Sequence, residues 1–191
     1  VAPGDRVSIL APNTHALLEA HFGVTATGAV LNALNTRLSV DELRYIVGHA
    51  GSKVLICDHD LLDTGTAVVD GLDTDVRLIA CGTDTSEYEQ GLAEAAPVWH
   101  RVDDELGLLS LNYTSGTTGQ PKGVMYAHRG AYLQALAMAA QTGLGLDSVF
   151  LWTLPMFHCN GWCFPWAVTA VGGRHICLRE VRPAATWQAI R

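Results

Sequence analysis

The sequence predicts an α/β fold of layered, mostly parallel sheets flanked by helices, and three observations lead there. Short apolar runs alternate with helix-like stretches along the chain. Helix starts and stops carry capping residues and glycines. With 49% hydrophobic and 16% charged residues, 191 positions are enough to bury a core.

Val7 to Leu10 reads as a first strand ending at Pro12-Asn13, and Asn13 or Thr14 is placed to cap a helix reaching about Gly28. Ser39-Val-Asp-Glu42 has capping-box spacing. Leu43, Ile46 and Val47 then share one helical face, and Gly51 is positioned for a left-handed stop. Lys53 to Asp58 and Val76 to Cys81 read as strands separated by a helical stretch from Asp60 to Gly71. Leu106 to Tyr113 and Gly123 to Tyr126 read as two strands around a polar loop, followed by an Ala-rich helix from Arg129 to Thr142. Val149 to Leu154 and Arg174 to Leu178 are further strands, with a helix expected from Gly161 to Val171 and another starting near Pro183.

Twelve Lys plus Arg against 19 Asp plus Glu give a net charge of -7. Such a chain offers nucleic acid or an anionic membrane no general attraction, so any anion must be bound at a local, shaped site. No apolar stretch is long enough to span a bilayer and no basic run precedes an apolar one at the start, which reads as a cytoplasmic protein. The five cysteines are scattered. Cys57, Cys81 and Cys177 fall in or at the end of β-like runs where a thiol packs as a small hydrophobe. His158, Cys159 and Cys163 lie close together without paired zinc-ligand spacing.

The segment from Tyr113 to Gly123, YTSGTTGQPKG, carries the most chemistry. Its glycines let the backbone approach a ligand with N–H groups turned inward. Thr114, Ser115, Thr117 and Thr118 offer hydroxyls to phosphate oxygens or a magnesium shell, and Lys122 adds a point charge. Pro121 before Lys122 and Gly123 after it do not match GxxxxGK[ST], which excludes a Walker A loop. Composition alone would also fit an ordinary polar surface loop.

This run is similar to the phosphate-binding signature of the adenylate-forming (AMP-binding) superfamily. Leu154-Pro-Met-Phe-His158-Cys-Asn-Gly-Trp162 resembles that superfamily's following motif, in the form found in fatty-acid and other acyl-CoA synthetases. The stretch from Gly28 to Leu38 with Asp41-Glu42-Leu43 looks like the same ligases, so the resemblance covers essentially the whole chain.

The resemblance implies that Thr114, Ser115, Gly116, Thr117, Thr118, Gly119 and Lys122 hold the ATP phosphates, with Thr114 beside a magnesium ion. It implies that His158 orients the acid between nucleotide and acyl pocket and that Trp162 borders the acyl tunnel. Plain core packing is the competing reading for both residues. His128-Arg129 reads as scaffold for the loop or as a helix start. The implied activity joins a carboxylic acid, best a fatty acid, to AMP and then to CoA. Possible homodimerisation comes by resemblance alone. The alternatives are a non-catalytic nucleotide-binding module and an adenylation domain that loads a carrier protein. The superfamily's later glutamate, aspartate and lysine motifs do not follow Trp162. Residues 1–191 are therefore expected to be part of an N-terminal AMP-binding domain cut at both ends, without the C-terminal domain and inactive in isolation.

Overall fold

The structure is a computed structural model that describes residues 1–114 and 119–190. The chain runs β1 (Arg6–Leu10), α1 (His15–Ala26), β2 (Val30–Ala33), α2 (Val40–Ala50), β3 (Ser52–Asp58), α3 (Leu62–Asp70), β4 (Arg77–Cys81) and α4 (Glu87–Glu94). It continues through β5 (Leu108–Thr114), β6 (Lys122–Ala127), α5 (His128–Thr142), β7 (Val149–Trp152), α6 (Cys159–Trp162), α7 (Phe164–Ala170), β8 (Arg174–Cys177) and α8 (Pro183–Ile190). The main sheet has the order β4-β3-β1-β2-β5-β6, parallel throughout except for β6, which pairs antiparallel with β5. A second, parallel sheet contains β7 and β8. The expected α/β layering is what forms.

Strand alternation divides the core. Val7, Ile9 and Leu31 point toward α1 and pack with Leu17, Ala20, Trp152, Met156 and Phe157. Leu10, Leu34, Leu55 and Cys57 point the other way, against Leu43, Ile46, Val47 and Val68 of α2 and α3. Each fully buried Leu or Ile of these layers contributes about 1.5–3 kcal/mol through removal from water. Helix α2 starts as its sequence dictates: the Ser39 side chain accepts from the Glu42 N–H while Glu42 receives the Ser39 N–H, and Gly51 closes the helix at φ 65. On α5, Ala131, Ala135 and Ala139 form a small-residue stripe that packs with Ala167 of α7 and Cys163.

Three local readings change. Strand β2 is only four residues long and α4 has no fully buried residue, only Tyr88 reaching the core, so neither gives a strong periodic signal. The start of α1 differs in chemistry: Thr14 is the N-cap residue but makes no side-chain cap bond. Asn13 turns instead toward the second sheet, where its Nδ2 donates to the carbonyls of Trp152 (3.1 Å) and Leu154 (2.8 Å) and its Oδ1 accepts from the Met156 N–H (2.9 Å). The helix expected from Gly161 is interrupted, and α7 begins only at Phe164 with Pro165 in its first turn.

His21 lies fully buried on α1, with Nδ1 donating to the Leu17 carbonyl at 2.7 Å and its ring edge-on to Trp166. Its Nε2 meets no hydrogen-bond partner among the described residues. Burial pushes the imidazole pKa down to about 4, with the nearby His175 adding to the effect. The neutral ring is thus part of the native state, while an unfolded His21 titrates near 6.5. Stability from this group is complete above pH 6.5 and declines as pH falls toward 4, a total of about 3 kcal/mol.

Urea midpoints should fall between pH 6.5 and about 4, and His21→Gln should flatten that decline; an equal slope in both proteins would remove His21 as its source. Asn13→Ala, which strips three hydrogen bonds from the junction, should lower unfolding free energy by about 3 kcal/mol in urea denaturation. A change under about 0.5 kcal/mol would mean that water replaces the amide there.

Candidate functional site

The site grows from one strand. Along β5, Leu111 and Tyr113 face α2, where the His49 ring bonds the Tyr113 hydroxyl at 2.8 Å. Ser110, Asn112 and Thr114 alternate onto the opposite face. There the Asn112 Nδ2 donates to the Phe157 carbonyl at 2.8 Å and the Asn160 Nδ2 donates to the Ser110 hydroxyl at 2.7 Å. Ser110, Asn112 and Asn160 are all buried. The loop of the first motif and the segment of the second are therefore fastened to the same strand.

Thr114 ends β5 and Lys122 begins β6, and the two are register partners across the antiparallel pair, so the loop opens and closes at one place. Both are exposed, and Gly119 has open space where a Cβ would stand. Ser115, Gly116, Thr117 and Thr118 lie outside the described residues. Thr114 and His158 line one cleft of about 330 Å³ at the carboxyl ends of β2 and β5, together with Asn35, Tyr126 and Cys159. Among the described residues that line it there is no carboxylate. No acidic side chain in this lining would therefore repel an anion.

His158 and Trp162 are not core residues. His158 is exposed, and Trp162 is 59% exposed, so plain burial does not account for either. The cause is the backbone between them. Cys159, Asn160, Gly161, Trp162 and Cys163 all have positive φ, a left-handed turn closed by bonds from the Gly161 N–H to the His158 carbonyl and from the Cys163 N–H to the Asn160 carbonyl. A non-glycine residue in this region costs roughly 1–2 kcal/mol. Gly161 is required at its centre, since a Cβ would approach the Trp152 ring to 2.8 Å. The turn sets Trp162 between two further clefts, of about 420 Å³ beside Tyr126, Ala131 and Gln134 and about 310 Å³ beside Phe150, Trp152 and His158.

His128 is the first residue of α5, and the N–H groups of His128 and Arg129 donate to the carbonyls of Gly107 and Glu105, with Arg129 also paired to the Glu105 carboxylate at 3.2 Å. These residues anchor a helix start, as the sequence suggested. Asp58, His59 and Asp60 form the one metal-like cluster among the described residues. Arg179, just after β8, bridges both carboxylates, with Nη1 donating to Asp58 Oδ2 at 2.9 Å, so an arginine supplies the cation there. Sequence reasoning passed over Ser110, Asn112 and Asn13 as site-building residues. The available signal was polar residues within apolar runs, as in Leu-Ser-Leu-Asn.

The whole chain, residues 1–191, matches the family described as AMP-binding enzyme. It is 39% identical to the peroxisomal acetate/butyrate–CoA ligase AAE7 of Arabidopsis thaliana over 213 residues, covering 100% of this chain and 37% of that protein. It is 39% identical to the peroxisomal benzoate–CoA ligase of the same plant over 201 residues, covering 95% of this chain and 35% of that protein. The chain thus spans little more than a third of the length of these relatives. Among solved structures it resembles the inhibitor-bound N-terminal domain of FACL13 from Mycobacterium tuberculosis, with TM-score 0.86 and 29% identity over 100% of this chain and 48% of that one. ATP-bound MatB from Rhodopseudomonas palustris shares the fold, with TM-score 0.86 and 24% identity over 98% of this chain and 38% of that one. On its matched length and its relatives, this chain belongs to the AMP-binding enzyme family.

Proposed function

We propose that the full-length protein carrying this chain is an acid–thiol ligase that activates an apolar carboxylic acid, a fatty or aryl acid, with ATP and transfers the acyl group to CoA. The observation that carries the reading is the shared cleft, in which the end of the phosphate loop at Thr114 and the second motif at His158 meet. In the first step a carboxylate oxygen attacks the α-phosphorus, the bond to the β-phosphate oxygen breaks, and acyl-AMP and pyrophosphate form. In the second, the CoA sulfur attacks the acyl carbon, loses its proton, and AMP leaves.

In this reading the loop from Thr114 to Lys122, including Ser115, Gly116, Thr117, Thr118 and Gly119, takes the β- and γ-phosphates. Charge grows on the leaving pyrophosphate, so donors and the Lys122 ammonium aimed there favour the transition state over bound ATP. Magnesium, bound mainly through the phosphates with Thr114 as a protein oxygen, would add charge neutralisation. His158 stands at the edge shared by the 330 Å³ cleft and the 310 Å³ cleft and is suited to orient the acid between nucleotide and acyl chain. Trp162, lining the 310 Å³ and 420 Å³ clefts, borders the path for the apolar part. The aromatic and alanine surroundings favour an apolar acid over an amino acid, whose ammonium group calls for a nearby carboxylate.

The test is pyrophosphate release by the full-length protein with ATP, magnesium and a panel of acetic, butyric, longer fatty, benzoic and amino acids, with CoA present or absent. Release with fatty or aryl acids that becomes thioester formation when CoA is added is expected, and Lys122→Ala should lower kcat by about a hundredfold. No release with any acid would leave a nucleotide-binding module without catalysis. Acyl transfer to a carrier protein in preference to CoA would identify a different acceptor.

A further inference from the structure

We infer that Asn112 is a positioning residue that acts through the Phe157 carbonyl to hold His158 at a set place relative to the phosphate loop, an inference that rests on the ligase reading above. The argument is geometric. Asn112 precedes Thr114 by two residues on the same face of β5, so its backbone cannot move without moving the mouth of the loop. Its side chain is buried and donates to the carbonyl of the residue immediately before His158.

No regular ladder serves the segment between β7 and the left-handed turn. Apart from local turn bonds such as His158 N–H to the Pro155 carbonyl (3.2 Å), it is tied to the rest of the fold by side-chain amides: Asn13 at Met156, Asn112 at Phe157 and Asn160 on Ser110. Of these, only the Asn112 bond joins the loop-bearing strand directly to the residue beside His158. Asn13 belongs to the β1–α1 junction, and Asn160 lies beyond His158 toward Trp162. The side chain of Phe157 is itself buried in the main core cluster, so its carbonyl is presented to Asn112 from a fixed base. A leucine at 112 would fill similar space but supply no donor, and the Phe157 carbonyl would be left without its partner.

A double-mutant cycle in the full-length protein reads this coupling. Asn112→Leu should lower kcat for acyl-AMP formation by about tenfold or more while raising the KM for ATP less than about threefold. In a His158→Ala background the same change should cost less than about twofold, because the residue through which Asn112 acts is gone. Asn112→Asp, which has no donor while ionised, should regain kcat relative to the unsubstituted protein as the pH is lowered and its carboxyl acquires a proton to donate. This second variant carries the test if the leucine variant does not fold.

Histidine-ring NMR supplies a readout independent of turnover. Either variant should move the His158 ring signal and leave those of His15 and His59 in place. Losses that multiply independently in the cycle, or a His158 signal unmoved by either substitution, would overturn the role of Asn112. Absence of any acid activation by the unsubstituted protein would instead overturn the ligase reading, with the NMR shift still deciding the coupling.

Discussion

The polar face of β5 is the constraint from which the site follows. A strand between apolar layers would ordinarily present only aliphatic side chains, yet Ser110 and Asn112 point into the layer that holds Trp152, Met156 and Phe157. Their presence makes sense because the segment packed against them has no strand or helix partner for its backbone. Buried peptide groups need hydrogen bonds wherever the chain goes, and a lost partner costs about 1–3 kcal/mol each. An asparagine amide is a compact answer, since one side chain can donate and accept at neighbouring peptides. Asn13 does both, at Leu154 and Met156, and so ties the end of β1 to the same segment.

With the segment held in this way, the left-handed turn after His158 becomes sustainable. Four non-glycine residues there carry positive φ, a local cost that the chain would escape if it were free to do so. It is held on three sides. Asn160 is bonded to Ser110, Gly161 sits against Trp152, and Cys163 enters the small cluster formed with α5 and α7. The result is that two side chains whose types favour burial, His158 and Trp162, stand at the edges of open clefts. Strain in this place is coupled to exposure of the residues that the ligase reading uses.

Charge is arranged with similar economy. The chain is acidic as a whole, yet the cleft at Thr114 has no carboxylate among its described lining residues. The one metal-like group of acids among the described residues, at Asp58 and Asp60, is engaged by Arg179. That pair also fastens the exit of β8 to the exit of β3, so the second sheet is held to the first at the carboxyl ends of both, the edge where α/β folds commonly place their ligands.

Much of the molecule could be read from the chain. The capping box at Ser39 and Glu42, the glycine stop at Gly51 and the strands flanking the loop are local features, written in neighbouring residues and recovered in the structure. The loop motif from Tyr113 to Gly123 identified the family because its order of residues is specific in itself. By contrast, the cap reading of Asn13 and the unbroken helix from Gly161 both failed for one reason. Each was decided by a partner far away in sequence: Asn13 by peptides about 140 residues later, and the turn at Asn160 by Ser110, 50 residues earlier. Sequence by itself determined most of the elements, their layering and the loop motif that marks the family. Only the tertiary structure decided which polar side chains would join the two motifs, because buried hydrogen bonds are satisfied by whatever the fold brings near, and proximity across layers is not encoded in spacing along the chain.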